Sequence, residues 1–141
     1  MPLQLKAPIV ETYPLMKSDD TGETYVVIRQ ATRQENEQRA SQFADATFEW
    51  QDDLVRGHQT LNPLTMEAFE VFLTMADCNI IGKDGSPLFK FKDEDGGKRS
   101  FDGSFAEFQK RFGQLPDSVA DEIHDKVYAH NPQWDELAAK N

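Results

Sequence analysis

Asn62–Ile81, NPLTMEAFEVFLTMADCNII, is the stretch whose reading decides the fold. It opens with helix-start signals: Asn62 and Thr65 as caps, and Pro63 in a first turn where a missing N–H costs nothing. Met66, Ala68, Phe69, Val71, Phe72, Leu73, Met75, Ala76, Cys78 and Ile80 then surround a helix instead of striping one side. That is how a helix enclosed by the rest of a domain reads. Glu67, Glu70, Thr74 and Asp77 interrupt the run, which is too polar and too short for a membrane span. The expectation is an α+β fold, predominantly helical, with four to five helices around a buried central helix at about 62–81.

Working outward, residues 1–22 read as an extended arm, because Pro2, Pro8 and Pro14 leave no helical period intact. Thr24–Arg29 is rich in β-branched and aromatic residues and predicts an N-terminal strand. Its Val26 and Ile28 face one way, and Tyr25, Val27 and Arg29 the other. Thr32 and Glu35 form a capping box that starts a long helix running to about Val55, ended by Gly57. Ala40, Phe43, Ala44, Trp50 and Leu54 line one face of it, and Phe48 lies off that face, free for a partner or a second neighbour.

Beyond Gly82 the pattern changes. Residues 87–101 read as a small β-hairpin turning at Asp93–Gly97, DEDGG. Ser104 and Glu107 are a second capping box; Phe105, Phe108 and Phe112 then share a helical face, with Gly113 as a left-handed terminator. Pro116 and Asp117 open a last helix that buries Val119, Ala120, Ile123 and Val127 and leaves Glu122 and Lys126 as an exposed i,i+4 pair. Residues 23–134 thus read as a single compact domain, followed by a tail at 135–141 that carries no strong pattern.

The 141 residues suffice for one domain. A net charge of −10 repels phosphate backbones and anionic lipid, so neither nucleic acid nor membrane is an expected partner. The start has no basic segment followed by a long apolar run, and with a lone cysteine this points to the reducing cytoplasm. Cys78 reads as a small buried hydrophobe.

No catalytic residue, cofactor site or metal site emerges. DEDGG lacks the glycine-sixth, glutamate-twelfth pattern of a calcium loop. Asp117, Asp121, His124 and Asp125 fall within reach of one another on a helix, but no second histidine stands at zinc-helix spacing, and the face reads as solvated. His58 and His130 read as loop and helix-end residues. Gly96-Gly97-Lys98 lacks phosphate-loop spacing. Contact with another protein remains, and Phe48, Trp50 and above all Trp134, beyond a helix-stopping proline, are the aromatic residues assigned to partner binding.

Four segments together, YVVIRQAT (25–32), FEVFLTMADCNI (69–80), DGSPLF (84–89) and LPDSVADEIHDKVYAHNPQW (115–134), resemble the tail assembly chaperones of long-tailed, siphovirus-type bacteriophages and prophages. The resemblance runs from about Thr24 to Trp134. It implies a non-enzymatic protein of the host cytoplasm that binds the tape-measure protein, keeps it soluble, recruits tail-tube protein around it and self-associates as a homo-oligomer. Two other classes fit the residues: a structural tail or head-tail connector subunit retained in the virion, and a small acidic regulatory binder or DNA mimic.

Overall fold

A computed structural model describes residues 2–52 and 63–135, the side chains of 43–52 excepted. Within them the chain is a mixed α+β fold of four helices and five strands in two small antiparallel sheets. Strands β1 (Val10–Pro14) and β2 (Tyr25–Arg29) lead into α1 (Arg33–Asp52). Helix α2 (Pro63–Thr74) is followed by β3 (Met75–Cys78), then by β4 (Phe91–Asp93) and β5 (Arg99–Phe101). Helices α3 (Phe105–Phe112) and α4 (Asp117–His130) and a single 3-10 turn at Pro132–Trp134 close the described chain.

The opening stretch is where expectation and structure part. The helix runs over the 12 residues Pro63–Thr74, and Met75–Cys78 is a strand, so the helix predicted over 62–81 stops seven residues early and gives way to sheet. Two local bonds explain the stop. Thr74 Oγ1 donates back to the Glu70 carbonyl at 2.8 Å, competing with the helix ladder. Arg29 Nη2 donates to the Leu73 carbonyl at 2.6 Å, placing a cation on an orphan C-terminal acceptor. Beyond that point β2 offers a partner: Val26 lies opposite Cys78, Val27 opposite Asp77 and Ile28 opposite Met75. The register slips between Val27 and Ile28, leaving Ala76 as the extra residue of a bulge. Cys78 therefore sits half-buried in a strand, its thiol pushed up to about 11 chiefly by burial.

The first sheet has the order β1-β2-β3. Of the arm expected over 1–22, residues 10–14 pair antiparallel with β2, so the extended arm proper is 2–9. Val26 and Ile28, placed on one face, are fully buried in the core, and Arg29, placed on the other, is buried too. Its Nη1 meets Glu35 Oε1 at 2.5 Å, and Lys98 Nζ lies 3.2 Å from Glu35 Oε2. Glu35 also closes the predicted capping box, accepting from the Thr32 amide at 2.9 Å while Thr32 Oγ1 accepts from the Glu35 amide at 3.2 Å. Burial alone would raise this carboxyl; Arg29, the Thr32 amide and Lys98 outweigh it and hold it below its ordinary value.

The second sheet is the predicted hairpin, with β4 and β5 joined by Asp95–Gly97. Gly96 and Gly97 take φ of 83° and 79° there, a region costly for other residues. Helix α3 is capped by Ser104, whose hydroxyl accepts from the Glu107 amide at 3.2 Å. Gly113 follows it with φ −66° and ψ −10°, a right-handed end instead of the left-handed one expected; its amide still reaches the Gln109 carbonyl at 2.9 Å.

The phenylalanines fill the space between α2, α3 and the hairpin. Phe108 is fully enclosed, with ring centroids of Phe72, Phe89, Phe101 and Phe112 at 5.5, 5.1, 5.1 and 5.6 Å. Such spacings add about 0.5–1.5 kcal/mol per pair to the area they bury. Leu15, Val26, Ile28, Val71, Ile123 and Val127 continue the core under the sheet. Helix α4 buries Ile123 and Val127 as predicted, with Val119 and Ala120 half-buried. Glu122, expected on its wet side, is buried instead. It accepts from the amides of Lys17 and Ser18 at 3.0 and 2.8 Å and from the Ser18 hydroxyl at 2.7 Å.

Candidate protein-binding surface

The charge inside the apolar run of α2 organises one side of the molecule. Glu70 follows Phe69 on the helix and is only 2% exposed. His124 Nε2 lies 2.8 Å from its Oε1, the Tyr128 hydroxyl donates to both oxygens at 3.0 and 3.1 Å, and Arg39 Nε donates to Oε2 at 2.6 Å. The Tyr128 phenol is pushed up to about 12, first by burial and then by the neighbouring Glu70 carboxylate. Arg39 in turn lies 5.0 Å from the Trp134 ring and donates Nη2 to the Trp134 carbonyl at 3.2 Å. This network ties α1, α2, α4 and the last turn together, and each carboxylate oxygen is engaged by at least two groups. What it does chemically is hold four elements in place.

Next to it, α2, α3 and α4 enclose a groove of about 250 Å3. Its apolar lining is Leu64, Ala68, Phe112, Leu115 and Ala120, and the charged residues lining it are Glu67, Asp117 and Asp121. The Glu67 carboxyl is raised, mainly by burial and further by Asp121 and Glu70, with His124 opposing. A larger groove of about 380 Å3 runs beside exposed Ile81, between Ile80, Leu88, Leu115 and Val119. Its charged lining is mixed, Asp19 and Lys83.

The N-terminal part of the chain carries uncovered apolar residues. Leu3 is 90% exposed, Leu5 89% and Ile9 66%, and Val10 and Met16 are about half exposed. Val10 lies in β1, an edge strand; Ile9 and Met16 flank that strand, and Leu3 and Leu5 precede it in the arm. Gln30 donates its amide to the Ile9 carbonyl at 2.8 Å and Leu15 donates to the Thr24 carbonyl at 2.9 Å. In an antiparallel pair the bonded positions alternate. The odd-numbered residues of β1 therefore serve β2, and the peptide groups of Val10 and Thr12 face the open edge; Pro14 offers only a carbonyl there. The strand is pinned from below: His130 Nδ1 is 3.1 Å from the Tyr13 hydroxyl, and its Nε2 is 3.2 Å from the Ile9 carbonyl. Tyr13 also donates to Glu11 at 2.8 Å.

Among the residues assigned to partner binding, Trp134 is not an exposed anchor. It is 4% exposed, with Nε1 donating to Asn36 Oδ1 at 2.8 Å and its ring covered by Arg39. The proline before it starts a 3-10 turn that folds the chain back, instead of releasing it. Phe48 and Trp50 fall in α1, but their side chains lie outside those described, as do His58, Asn62, Val55 and Gly57. His124, read as solvated, is drawn into the Glu70 network, whereas Asp117, Asp121 and Asp125 are exposed. Among the described residues no group of three His, Cys, Asp or Glu side chains is arranged to hold a metal ion. No described helix is long and apolar enough to cross a membrane. The residues that sequence reasoning passed over are Glu70, Arg39 and the aliphatic arm; a lone acid embedded between Phe69 and Val71 was the available signal for the first. Comparison with protein-family models, curated proteins and solved structures finds no match.

Proposed function

We propose that this chain is a non-enzymatic assembly factor of the tail-chaperone kind, which uses its β1 edge to hold an aggregation-prone partner such as a tape-measure protein. The observation that carries the reading is the aliphatic set Leu3, Leu5, Ile9 and Val10, standing in water on a chain of net charge −10. A holdase needs both properties, an apolar contact face and a repulsive exterior that keeps the complex dissolved. The open Val10 and Thr12 peptide groups add main-chain bonding to an extended partner segment, with the aliphatic side chains supplying burial. The Glu70 carboxylate serves in this reading as a fastener for the helices, with no role in making or breaking bonds.

The test is co-expression with a tape-measure protein. The wild-type chain raises the partner's soluble yield and co-elutes with it, and Leu3→Ser/Leu5→Ser loses at least tenfold in capture while keeping its melting temperature, since exposed positions change stability by under about 0.5 kcal/mol. No gain in solubility and no complex would end the chaperone reading. The projecting arm of residues 2–9 also suits a subunit retained in the particle. Mass spectrometry of purified virions separates the two: a chaperone is absent, a subunit stoichiometric.

A further inference from the structure

The arm and the acidic groove complement each other in two respects at once. All 25 acidic residues of the chain lie from Glu11 onward, and Lys6 is the one charged side chain before it. The arm is thus a short apolar, cationic segment attached to a strongly anionic body. The groove between α2, α3 and α4 has an apolar lining, and the charged groups along it are all carboxylates. We propose that residues 2–7 of one copy dock into this groove on a second copy, Leu3 and Leu5 against Ala68, Phe112 and Ala120 and Lys6 against Glu67 and Asp121.

Several features favour the occupant. Fully extended, residues 2–7 reach about 20 Å, enough to leave their own domain. Ala7 is held close to the hairpin turn, its Cβ lying against Gly97, and residues 2–6 before it are exposed. Leu64, 68% exposed, stands at the groove mouth and gives an incoming leucine a first apolar contact. Burial and the proximity of Asp121 disfavour the Glu67 anion, and the opposite charge of a lysine ammonium placed beside it offsets them. Because arm and groove are different surfaces, the contact closes as a reciprocal pair or runs head to tail. The proposal stands on arm and groove alone and does not require the tape-measure partner.

The experiment is sedimentation velocity of the full chain at low and high salt. The wild type associates in a concentration-dependent manner, more weakly in high salt. Lys6→Glu and Asp121→Lys each weaken association about fivefold or more at low salt, and the double variant K6E/D121K recovers it. Both positions are exposed, so unchanged circular dichroism controls for folding. A complementary mixture gives a second readout: a chain lacking residues 2–7 and a chain carrying Asp121→Lys, each associating more weakly alone than the wild type, form a tighter mixed complex in which the intact arm of one meets the intact groove of the other. A wild type that stays monomeric up to about 1 mM, an oligomer indifferent to these changes, or a double variant no better than the singles overturns the proposal.

Discussion

The phenylalanine-packed side and the β1 side of the molecule treat apolar residues in opposite ways. Around Phe108 every ring finds others at 5–6 Å and the helices close over them. Along the arm, Leu3 and Leu5 stand almost fully in water and Ile9 is two-thirds exposed. The contrast separates two jobs that composition alone merges. The ten phenylalanines described a core, and aromatic residues were the natural suspects for a contact surface. The structure keeps the described aromatics buried or half-buried and leaves aliphatic side chains outside. If the exposed aliphatic residues are the contact surface proposed above, stability and contact reside in different residues, and each can be broken without the other.

The largest expected effect is on the closed side. Phe108→Ala removes a ring from the centre of the cluster and should cost about 3–5 kcal/mol in urea denaturation, while any folded fraction still captures partner through the arm. A loss below 1 kcal/mol would mean that the cluster is less well packed than its spacings indicate. Somewhat smaller is Arg29→Met, at about 3 kcal/mol. It strands Glu35 with fewer partners and uncovers the Leu73 carbonyl, so the α2–β3 junction should also lose amide-exchange protection; Arg29→Met/Glu35→Leu recovers part of the loss by removing both charges. An unprotected junction in the wild type would sink that account.

The acid response is smaller again and tests the junctions between regions. Glu35 and Glu122 are both held below their ordinary values, so each stabilises the fold above the usual carboxylate range, near pH 4.3. That contribution disappears as pH falls through their still lower folded values. Glu67, raised, runs the other way, its contribution present at low pH and lost as pH rises through its folded value. Asp19 and Asp84 are also held low, by hydrogen bonds from Thr21 and Thr24 and from Ser86. With four carboxylates lowered against one raised, stability should fall below about pH 4, and Ser18→Ala, which deletes a bond to Glu122 worth about 1 kcal/mol at neutral pH, should cost less at pH 3. Equal losses at both pH values would contradict the assignment. Arm variants such as Leu3→Ser come last, with no measurable change in folding.

What the sequence disclosed was mostly local. Thr32/Glu35 and Ser104/Glu107 announce their helices through contacts three residues apart, and β2 and the hairpin announce themselves by composition and turns. What it hid depended on distant partners. Met75–Cys78 continues an apolar run with no punctuation, and only pairing with β2 makes it a strand. The prolines at 8 and 14 concealed β1, because a strand at an edge tolerates them where an inner one would not. Glu122 looked wet because its helical neighbours are, and the amides that bury it come from residues 17 and 18, over a hundred positions away. Trp134 looked free for the same reason: Arg39 and Asn36 lie in another helix.

Asn131 sets a schedule for how the molecule is made. Its fully buried amide accepts from the Ala31 N–H at 2.8 Å and donates to the Arg29 carbonyl at 3.3 Å, joining the end of β2 to a residue a hundred positions later. On the ribosome, the joint between strand and first helix must wait until almost the whole described chain has cleared the exit tunnel. Nascent chains arrested before Asn131 has emerged should remain open to protease, and protection should arrive abruptly once it has cleared the tunnel.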